Sequence, residues 1–366
     1  MELEVHCQPE IFATLHAEWN ALVERGLCRV PFLRAEYQAA WWQHRGGGEW
    51  PEAELVVVTA RLDGRLVGVA PLFAARNRAG RRALLLIGSI EISDYLDLIV
   101  EREHVEAFCA ALLPRLRAAD VPAWEVLDWY NVPATSPTRA ALGRTAAALG
   151  WTTGEQMLEP VPVITLPGDW DTYLATLVEK KERQEIKRKL RRAEANDEKV
   201  AWQLVDSARY TPADGEAFLA MMALSEDKAR FLTPAMRAQF HSVLQAAAAH
   251  GWLHLAFLLV GPVRAAAYLS FDDGRRLYVY NSAIDARFSA LSVGWVLLGY
   301  LLQWAIANRR VEFDFMRGGE DYKLRFGGVA STIYRLQLSP AADIDLGGAP
   351  VPLVNAQEAA SFPSPR

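Results

Sequence analysis

The chain has 366 residues, of which 51% are hydrophobic and 23% are charged. This composition supplies a buried core and excludes a disordered protein. The formal net charge is −5, from 39 Lys and Arg against 44 Asp and Glu, so the surface as a whole lacks the basic field of a non-specific nucleic-acid binder. Any anion site must therefore be local. At roughly 150 residues per domain, the length predicts two domains.

The first series of predicted elements begins with two Val- and Leu-rich strands between Glu54 and Phe73, joined by a tight Asp63-Gly64 turn. A strand at Arg82 to Ser89, a helix at Glu103 to Ala118 and a strand at Trp124 to Trp129 follow.

The same series recurs in the second half of the chain. Two strands between Leu253 and Phe271 meet at Gly261-Pro262, followed by a strand at Arg276 to Ser282, a helix at Ser292 to Asn308 and a strand at Val311 to Phe315. An offset of roughly 190 residues is too long for a solenoid repeat. The sequence therefore predicts two similarly built domains of the mixed α/β class, each with a central mixed sheet flanked by helices.

The Pro-rich stretch from Glu159 to Gly168 marks the joint between the domains or the first strand of the second. The predicted boundaries are 1–158, 159–340 and a poorly ordered tail at 341–366, which is rich in Gly and Pro.

A helix is predicted from Asp169, a suitable N-cap, through the basic stretch from Lys180 to Arg192. One face of this helix is apolar and the rest is strongly basic. The basic face is either solvated or faces an anionic partner, such as a tRNA, an acidic glycan or a lipid surface.

Two uncharged stretches, 238–263 and 288–308, are long enough to cross a membrane. Both contain Gly and polar side chains, and we predict buried elements of an α/β protein rather than membrane spans. The residues from Met1 to His6 lack the features of a secretory signal.

The cysteines lack CxxC or Cys/His spacing, which indicates neither a disulfide framework nor a zinc site; they are Cys7, Cys28 and Cys109. His241, His250 and His254 lack a carboxylate or fourth ligand that would complete a metal site. We therefore predict a cytoplasmic protein without a metal.

An anion site is predicted where the helix at Ser292 to Asn308 begins. The crossover implies that its two flanking strands are parallel, so the unpaired amides of Ser292, Val293 and Gly294 face outward at a strand end. Gly294 permits close approach of a ligand, and Arg287 could reach a phosphate. The corresponding loop of the first copy, Asp94 to Glu103, is acidic and lacks Gly, so no cofactor is expected there. The alternative is an ordinary Ser-capped core helix.

Polar residues concentrate beside this site, between Glu312 and Gly327. Asp314 ends a strand, and a short helix after a Gly pair carries Tyr322, Lys323 and Arg325. Such groups at a strand end can act as general acids or bases. The alternative is a structural ion pair between Asp314 and one of the two cations.

The segments YVYNSAIDARFSALSVGWVLL (278–298) and EFDFMRGGEDYKLRFG (312–327) resemble the GNAT acetyltransferase-like domain of the CelD-type cellulose-biosynthesis family. They resemble, more distantly, the Fem-type peptidyltransferases, which are paired GNAT domains. Trp41, GRLVGVAPL and SDYLDL are similar to the first half of the CelD-type family. The resemblance covers 15–338, and its most specific part is the YK-x-[RK]-FG motif ending at Gly327.

This resemblance implies a GNAT fold in which acyl-CoA lies between splayed strands and its pyrophosphate is held by the loop from Arg287 to Gly294. The implied cofactor-binding residues are Arg287, Ser292, Val293, Gly294 and Asn281. The chain departs from the usual [QR]-x-x-G-x-[GA] loop, because Phe288-Ser289-Ala290-Leu291 follows Arg287.

Acylation of an amine needs a group to accept the proton and donors near the developing oxyanion. The candidates are Asp314 as base, Tyr322 as acid for the departing thiolate and Lys323 as an electrostatic or phosphate contact. Asp285 and Asn281 would line the acceptor side.

The leading hypothesis is an acyl-CoA-dependent N-acyltransferase that transfers acetyl or another acyl group to a small amine, such as an amino sugar or an amino acid. One alternative keeps the fold and uses an aminoacyl-tRNA as donor, the only nucleic acid expected. The other is a non-catalytic GNAT-fold partner in a polysaccharide or envelope assembly.

Overall fold

The computed structural model describes residues 1–341 and 344–346. Apart from 341 and 344–346, the predicted tail lies outside the described residues. The chain divides into two compact units. Unit 1 contains Met1–Glu159 and the stretch that begins at Thr332, and unit 2 contains Pro160–Ser331.

Unit 1 is a mixed sheet with helices. Its elements are β1 (Glu2–His6), α1 (Ile11–Thr14), α2 (His16–Arg25), α3 (Ala35–Gly48), β2 (Glu54–Leu62), β3 (Arg65–Arg76), β4 (Arg82–Leu86), β5 (Ile99–Val100), α4 (Val105–Arg115), β6 (Val126–Pro133), α5 (Thr138–Ala148) and the start of β7 (Thr152–Thr165). The strand order is β1-β2-β3-β4-β6-β13, with β5 on β3; β13 is Val329–Ser339.

The predicted hairpin between β2 and β3 is confirmed. Its two turn residues, Asp63 and Gly64, have φ of 50° and 79°, the left-handed pair that a two-residue hairpin turn requires.

The segment 87–98 closes the sheet of unit 1 where two parallel strands diverge. β4 and β6 pair only through Ala83–Val126 and Leu84–Leu127. Beyond these pairs the Asn131 side chain on β6 donates to the carbonyls of Ile90 (2.9 Å) and Ser93 (2.7 Å), and the Leu96 amide donates to the Asn131 carbonyl. Nearly all of the segment is buried.

Strand β13 does not lie wholly in the second domain, which was predicted to span 159–340. It begins in unit 2, but from Thr332 it belongs to unit 1, where it pairs antiparallel with β6. A fully buried ion pair explains this assignment, because Arg335 donates twice to Asp128 at 2.8 and 2.9 Å.

Unit 2 is also a mixed sheet with helices. Its elements are the end of β7, α6 (Trp170–Thr176), α7 (Lys180–Glu194), β8 (Val200–Asp206), α8 (Pro212–Met222), α9 (Glu226–Phe231), α10 (Pro234–Ala249), β9 (Leu253–Val260), β10 (Val263–Asp272), β11 (Arg276–Ile284), α11 (Val293–Ala307), β12 (Glu312–Asp314), α12 (Asp321–Arg325) and the start of β13. The strand order is β7-β12-β11-β10-β9-β8.

The helix predicted from Asp169 is two helices. Asp169 caps α6 as predicted, since its side chain accepts the Thr172 amide at 2.8 Å. The prediction of one continuous helix is wrong, because the chain leaves helical geometry between α6 and α7 and Glu179 is extended.

Helix α11 forms the centre of the core of unit 2, and α7 packs along it. Gly299 permits the close approach, since a Cβ there would lie 3.1 Å from the Leu190 side chain. The two stretches considered as membrane spans are α10 with β9, and the 3₁₀ segment Ala286–Leu291 with α11. Among the residues described, the structure has no helix with the length and apolarity needed to cross a membrane.

Candidate functional site

A gap opens in the sheet of unit 2 where β11 and β12 diverge. The two parallel strands pair only from Arg276–Glu312 to Tyr278–Asp314. Strand β11 then continues to Ile284, whereas the chain after Asp314 stays with β7, as the Phe315 amide donates to Pro162 and the Gly318 amide to Pro160. The turn at Met316 (φ 60°) and Gly318 (φ 118°) completes the divergence.

Strand β11 carries a bulge at the level of the gap. Leu269 of β10 pairs with Asn281, but the next residue, Ser270, pairs with Val279, so Tyr280 is the extra residue. Bulges re-aim side chains and are frequent beside active sites.

The N-terminus of α11 follows the end of β11. Ser292 has φ 54° and ψ 46°, and its side chain does not cap the helix. Val293 and Gly294 are the first two helical residues, so the predicted loop residues occupy the first turn, where backbone amides favour an anion. The 15-residue length of α11 gives this end a substantial positive potential.

Asp285 and Arg287 form an ion pair at the start of the 3₁₀ segment. The Arg287 guanidinium donates to both Asp285 oxygens, and Asp285 also accepts the Arg287 amide at 3.0 Å. These hydrogen bonds lower the pKa of Asp285 and raise the pKa of Arg287. A carboxylate with a lowered pKa is a weak proton acceptor, so the geometry favours Asp285 as the group that orients Arg287. The Arg287 side chain itself is 74% exposed.

Asp314 is fully buried at the end of β12. Its carboxylate lies 3.3 Å from the Arg276 guanidinium and accepts the Met316 amide at 2.8 Å. Burial opposes the charge of Arg276, but Tyr278, Asp314 and Glu312 outweigh it and raise the Arg276 pKa. The structural ion pair of Asp314 is therefore with Arg276 rather than with Lys323 or Arg325, and sequence reasoning did not single out Arg276.

Lys323 holds the turn that ends β12. Its ammonium is buried, pairs with Glu320 at 2.8 Å and donates to the carbonyls of Met316, Arg317 and Gly318. This environment favours a structural role over the predicted contact with a phosphate. Tyr322 is also buried, with its ring against Phe315.

Two cations flank the first turn of α11, and sequence reasoning had placed only one of them, Arg325, beside the site. The ring of Trp295 has the Lys189 ammonium at 3.9 Å and the Arg325 guanidinium at 4.7 Å, and burial lowers the Lys189 pKa. Arg325 also pairs with Glu182 of α7 at 2.7 Å. The sequence did contain a sign of this role, because Lys189 lies on the apolar face of a helix whose other face is basic and exposed.

The residues 180–324 match the family model described as "Acetyltransferase (GNAT) domain". No curated protein matches the chain at the significance level applied.

Solved structures with similar folds cover nearly all of the chain. FemX has a TM-score of 0.64 at 13% identity, over 92% of this chain and 97% of that one. The C-terminal domain of a putative lysylphosphatidylglycerol synthetase from Agrobacterium fabrum has a TM-score of 0.55 at 10% identity, over 91% of this chain and 94% of that one. A tandem GNAT protein from the clavulanic acid biosynthesis pathway has a TM-score of 0.50 at 14% identity, over 94% of this chain and 100% of that one.

At these identities the solved structures establish the fold, which is the predicted mixed α/β fold of GNAT type. The family model adds the class of chemistry. Residues 180–324 of this chain therefore match an acetyltransferase (GNAT) domain, and the chain is an acyltransferase.

Proposed function

We propose that unit 2 transfers an acyl group from acyl-CoA, acetyl-CoA being the simplest donor, to the nitrogen of a small amine such as an amino sugar or an amino acid. The observation that carries this proposal is the gap between β11 and β12, together with the N-terminus of α11, which follows the end of β11 after a short 3₁₀ segment. An extended thioester arm fits a gap in a sheet, and its diphosphate suits the amides of a helix N-terminus.

In this reaction the amine nitrogen attacks the thioester carbon, the C–S bond breaks, and the sulfur leaves as a thiolate that takes up a proton. Val293 and Gly294 would donate backbone amides to the diphosphate, and Arg287 would add a guanidinium. The amide of Ser292, also predicted to bind the diphosphate, already donates to the Ser289 carbonyl at 2.9 Å. Asp314 and Tyr322 remain the predicted base and acid. The three cysteines are not disulfide-bonded within the described residues, which fits a reducing compartment, and we place the reaction in the cytoplasm.

Calorimetric titration with acetyl-CoA tests the proposal. We expect wild-type protein to bind and an Arg287→Ala, Gly294→Asp double variant to lose binding, because the new carboxylate repels phosphate at the first turn of α11. Ala235→Asp is a matched control, since Ala235 is the exposed second residue of α10. Failure of wild-type protein to bind at millimolar ligand would refute the acyl-CoA donor.

The exposed face of α7 supports a second candidate donor, an aminoacyl-tRNA. The helix contains eight Lys or Arg and three Glu, a formal charge of +5 in a chain of −5, so the remainder carries −10. Exposed cations along this face are Lys180, Lys181, Lys187, Arg188, Arg191 and Arg192. Arg188 pairs with Glu185, whereas Lys180, Lys181 and Lys187 make no ion pair within the described residues.

Salt dependence distinguishes this donor from acyl-CoA. If tRNA is the donor, its affinity will fall steeply with salt concentration, and Lys180→Glu with Lys187→Glu will reduce the slope of log K against log salt by about two. Lys199→Glu, an exposed lysine outside α7, should leave the slope nearly unchanged. Tight acetyl-CoA binding with weak, salt-insensitive tRNA binding would exclude this candidate.

A further inference from the structure

The side chain of Asn281 has a fixed orientation immediately after the bulge in β11. Its Oδ1 accepts two hydrogen bonds, from the Lys228 ammonium at 3.3 Å and from the Ser282 amide at 2.9 Å. Both partners are obligatory donors, so the oxygen of the carboxamide must face them and the NH₂ group must face away.

Lys228 holds this arrangement from α9. The residue is buried, and its ammonium also donates to the Ser282 carbonyl at 2.6 Å. One side chain thus binds both the backbone and the side chain of the segment that follows the bulge. The neighbouring Tyr280 ring packs on Phe240 of α10, so Tyr280 and Asn281 face the layer formed by α9 and α10.

The NH₂ group of Asn281 has no hydrogen-bond partner within the described part of the chain, and the residue is half-buried. It lies on the stretch of β11 that has already parted from β12. Two N–H donors held in one orientation beside the gap suit an oxygen that gains negative charge, because preorganised donors cost no reorganisation during the reaction.

We propose that Asn281 donates to the carbonyl oxygen of the bound thioester and that Lys228 is the positioning residue that presents its NH₂ group. This inference rests on the proposed function, since it requires acyl-CoA in the gap between β11 and β12. Lys228 acts through Asn281 and does not itself contact the donor.

A pair of ligands isolates this contact without an acceptor. Acetyl-CoA has a thioester carbonyl, and S-ethyl-CoA is a thioether of the same length without that oxygen. One hydrogen bond to a carbonyl is worth roughly a three- to tenfold difference in affinity. We therefore expect calorimetry to give a dissociation constant for acetyl-CoA that is lower by this factor in wild-type protein.

The variants test each residue. Asn281→Asp keeps the contact with Lys228 but removes the N–H donors, so the preference for acetyl-CoA should vanish or reverse. Lys228→Met should reduce the preference towards unity, and Lys228→Arg, which can still donate to Oδ1, should restore it. Asn196→Asp is the matched control, because Asn196 bonds the Glu198 carbonyl in an exposed turn of the same unit.

The outcomes separate the two proposals. Binding of neither ligand by wild-type protein overturns the acyl-CoA donor and this inference with it. Binding of both ligands with a ratio that is unchanged in Asn281→Asp overturns the inference alone. Circular dichroism melting reports folding, and if Lys228→Met does not fold, Asn281→Asp decides.

Discussion

Both units contain a parallel strand pair that begins and then diverges, but the chain takes a different course after the first strand of each pair. In unit 1 the pair is β4 and β6, and the segment 87–98 is hydrogen-bonded across the divergence through Asn131. In unit 2 the pair is β11 and β12, where β11 continues as a strand and a short 3₁₀ segment leads to α11.

The difference lies in the chain that follows the first strand of each pair. Where two strands diverge, their backbone N–H and C=O groups lose each other as partners. A buried segment that is hydrogen-bonded to the second strand supplies partners from within the protein. A strand that runs on brings no such segment to the divergence. Two copies of one element series can therefore differ at the corresponding place because of a single connection.

The largest expected effect is on the free energy of unfolding, from a substitution in unit 2 that loosens the turn after β12. Lys323→Met removes the ammonium that pairs with Glu320 and binds three carbonyls of the turn after β12. We expect the free energy of unfolding to fall by about 3–5 kcal/mol, since the substitution breaks a buried ion pair. Urea denaturation of the single variant and of Lys323→Met with Glu320→Gln measures this. The double variant should be the more stable of the two, and equal midpoints for wild-type protein and Lys323→Met would contradict the structural role.

The next effect concerns the segment that closes unit 1. Burial raises the pKa of Asp97 to about 6 from 3.8, although the hydrogen bond from the Leu98 amide and the nearby Ser136 and Thr138 side chains lower it. A raised pKa in the folded state means that stability is full below about pH 4 and is lost as the pH rises to about 6 and above. The loss amounts to ~3 kcal/mol at neutral pH.

Asp97→Asn removes this titration and keeps an acceptor for the Leu98 amide. Unfolding free energies from pH 4 to pH 8 should therefore decline in wild-type protein relative to the variant. Parallel curves over this range would show that Asp97 is not protonated in the folded protein at pH 5.

A smaller effect on stability is expected when the segment 87–98 loses its hydrogen bonds to the Asn131 side chain. Asn131→Gly retains a residue that tolerates the φ of 61° at this position but removes the hydrogen bonds to Ile90 and Ser93. We expect a loss of about 2 kcal/mol in the free energy of unfolding, together with faster amide hydrogen exchange at Leu96. Unchanged exchange at Leu96 would mean that the closing segment does not depend on Asn131.

The smallest effect on stability is expected from a substitution in the 3₁₀ segment that precedes α11. Arg287→Ala removes an exposed guanidinium, so the midpoint of thermal unfolding should hardly change. The affinity for acetyl-CoA should fall several-fold, because one charged contact to the diphosphate is lost. Arg230→Ala, which also removes an exposed arginine paired with a nearby carboxylate, should change neither quantity. Equal losses of affinity in both variants would remove Arg287 from the site.

Much of the fold could be predicted from the sequence. Runs rich in Val and Leu located both hairpins, and the Asp63-Gly64 turn located one connection. The duplicated element series indicated two domains, but the return of β13 to unit 1 depends on the ion pair between Asp128 and Arg335, 207 residues apart, which no local pattern encodes.

The candidate site was predicted less completely. The position of Gly294 after a strand, a loop and a helix start indicated an anion site from local spacing. The partners of Asp314 and Lys323 were not predictable, because each depends on which carbonyl or guanidinium the fold brings within reach. Lys228 was missed since its partner Asn281 lies 53 residues further along.

The path of β13 limits how the protein can be dissected. A fragment ending at Glu159 would contain most of unit 1 but not the strand that pairs with β6. It would keep Asp128 in its interior and lose the arginine that neutralises it, and the edge of β6 would be left exposed, which invites aggregation. Unit 1 is therefore incomplete until β13 has been synthesised, so its folding cannot finish when the ribosome has released only the residues up to Glu159.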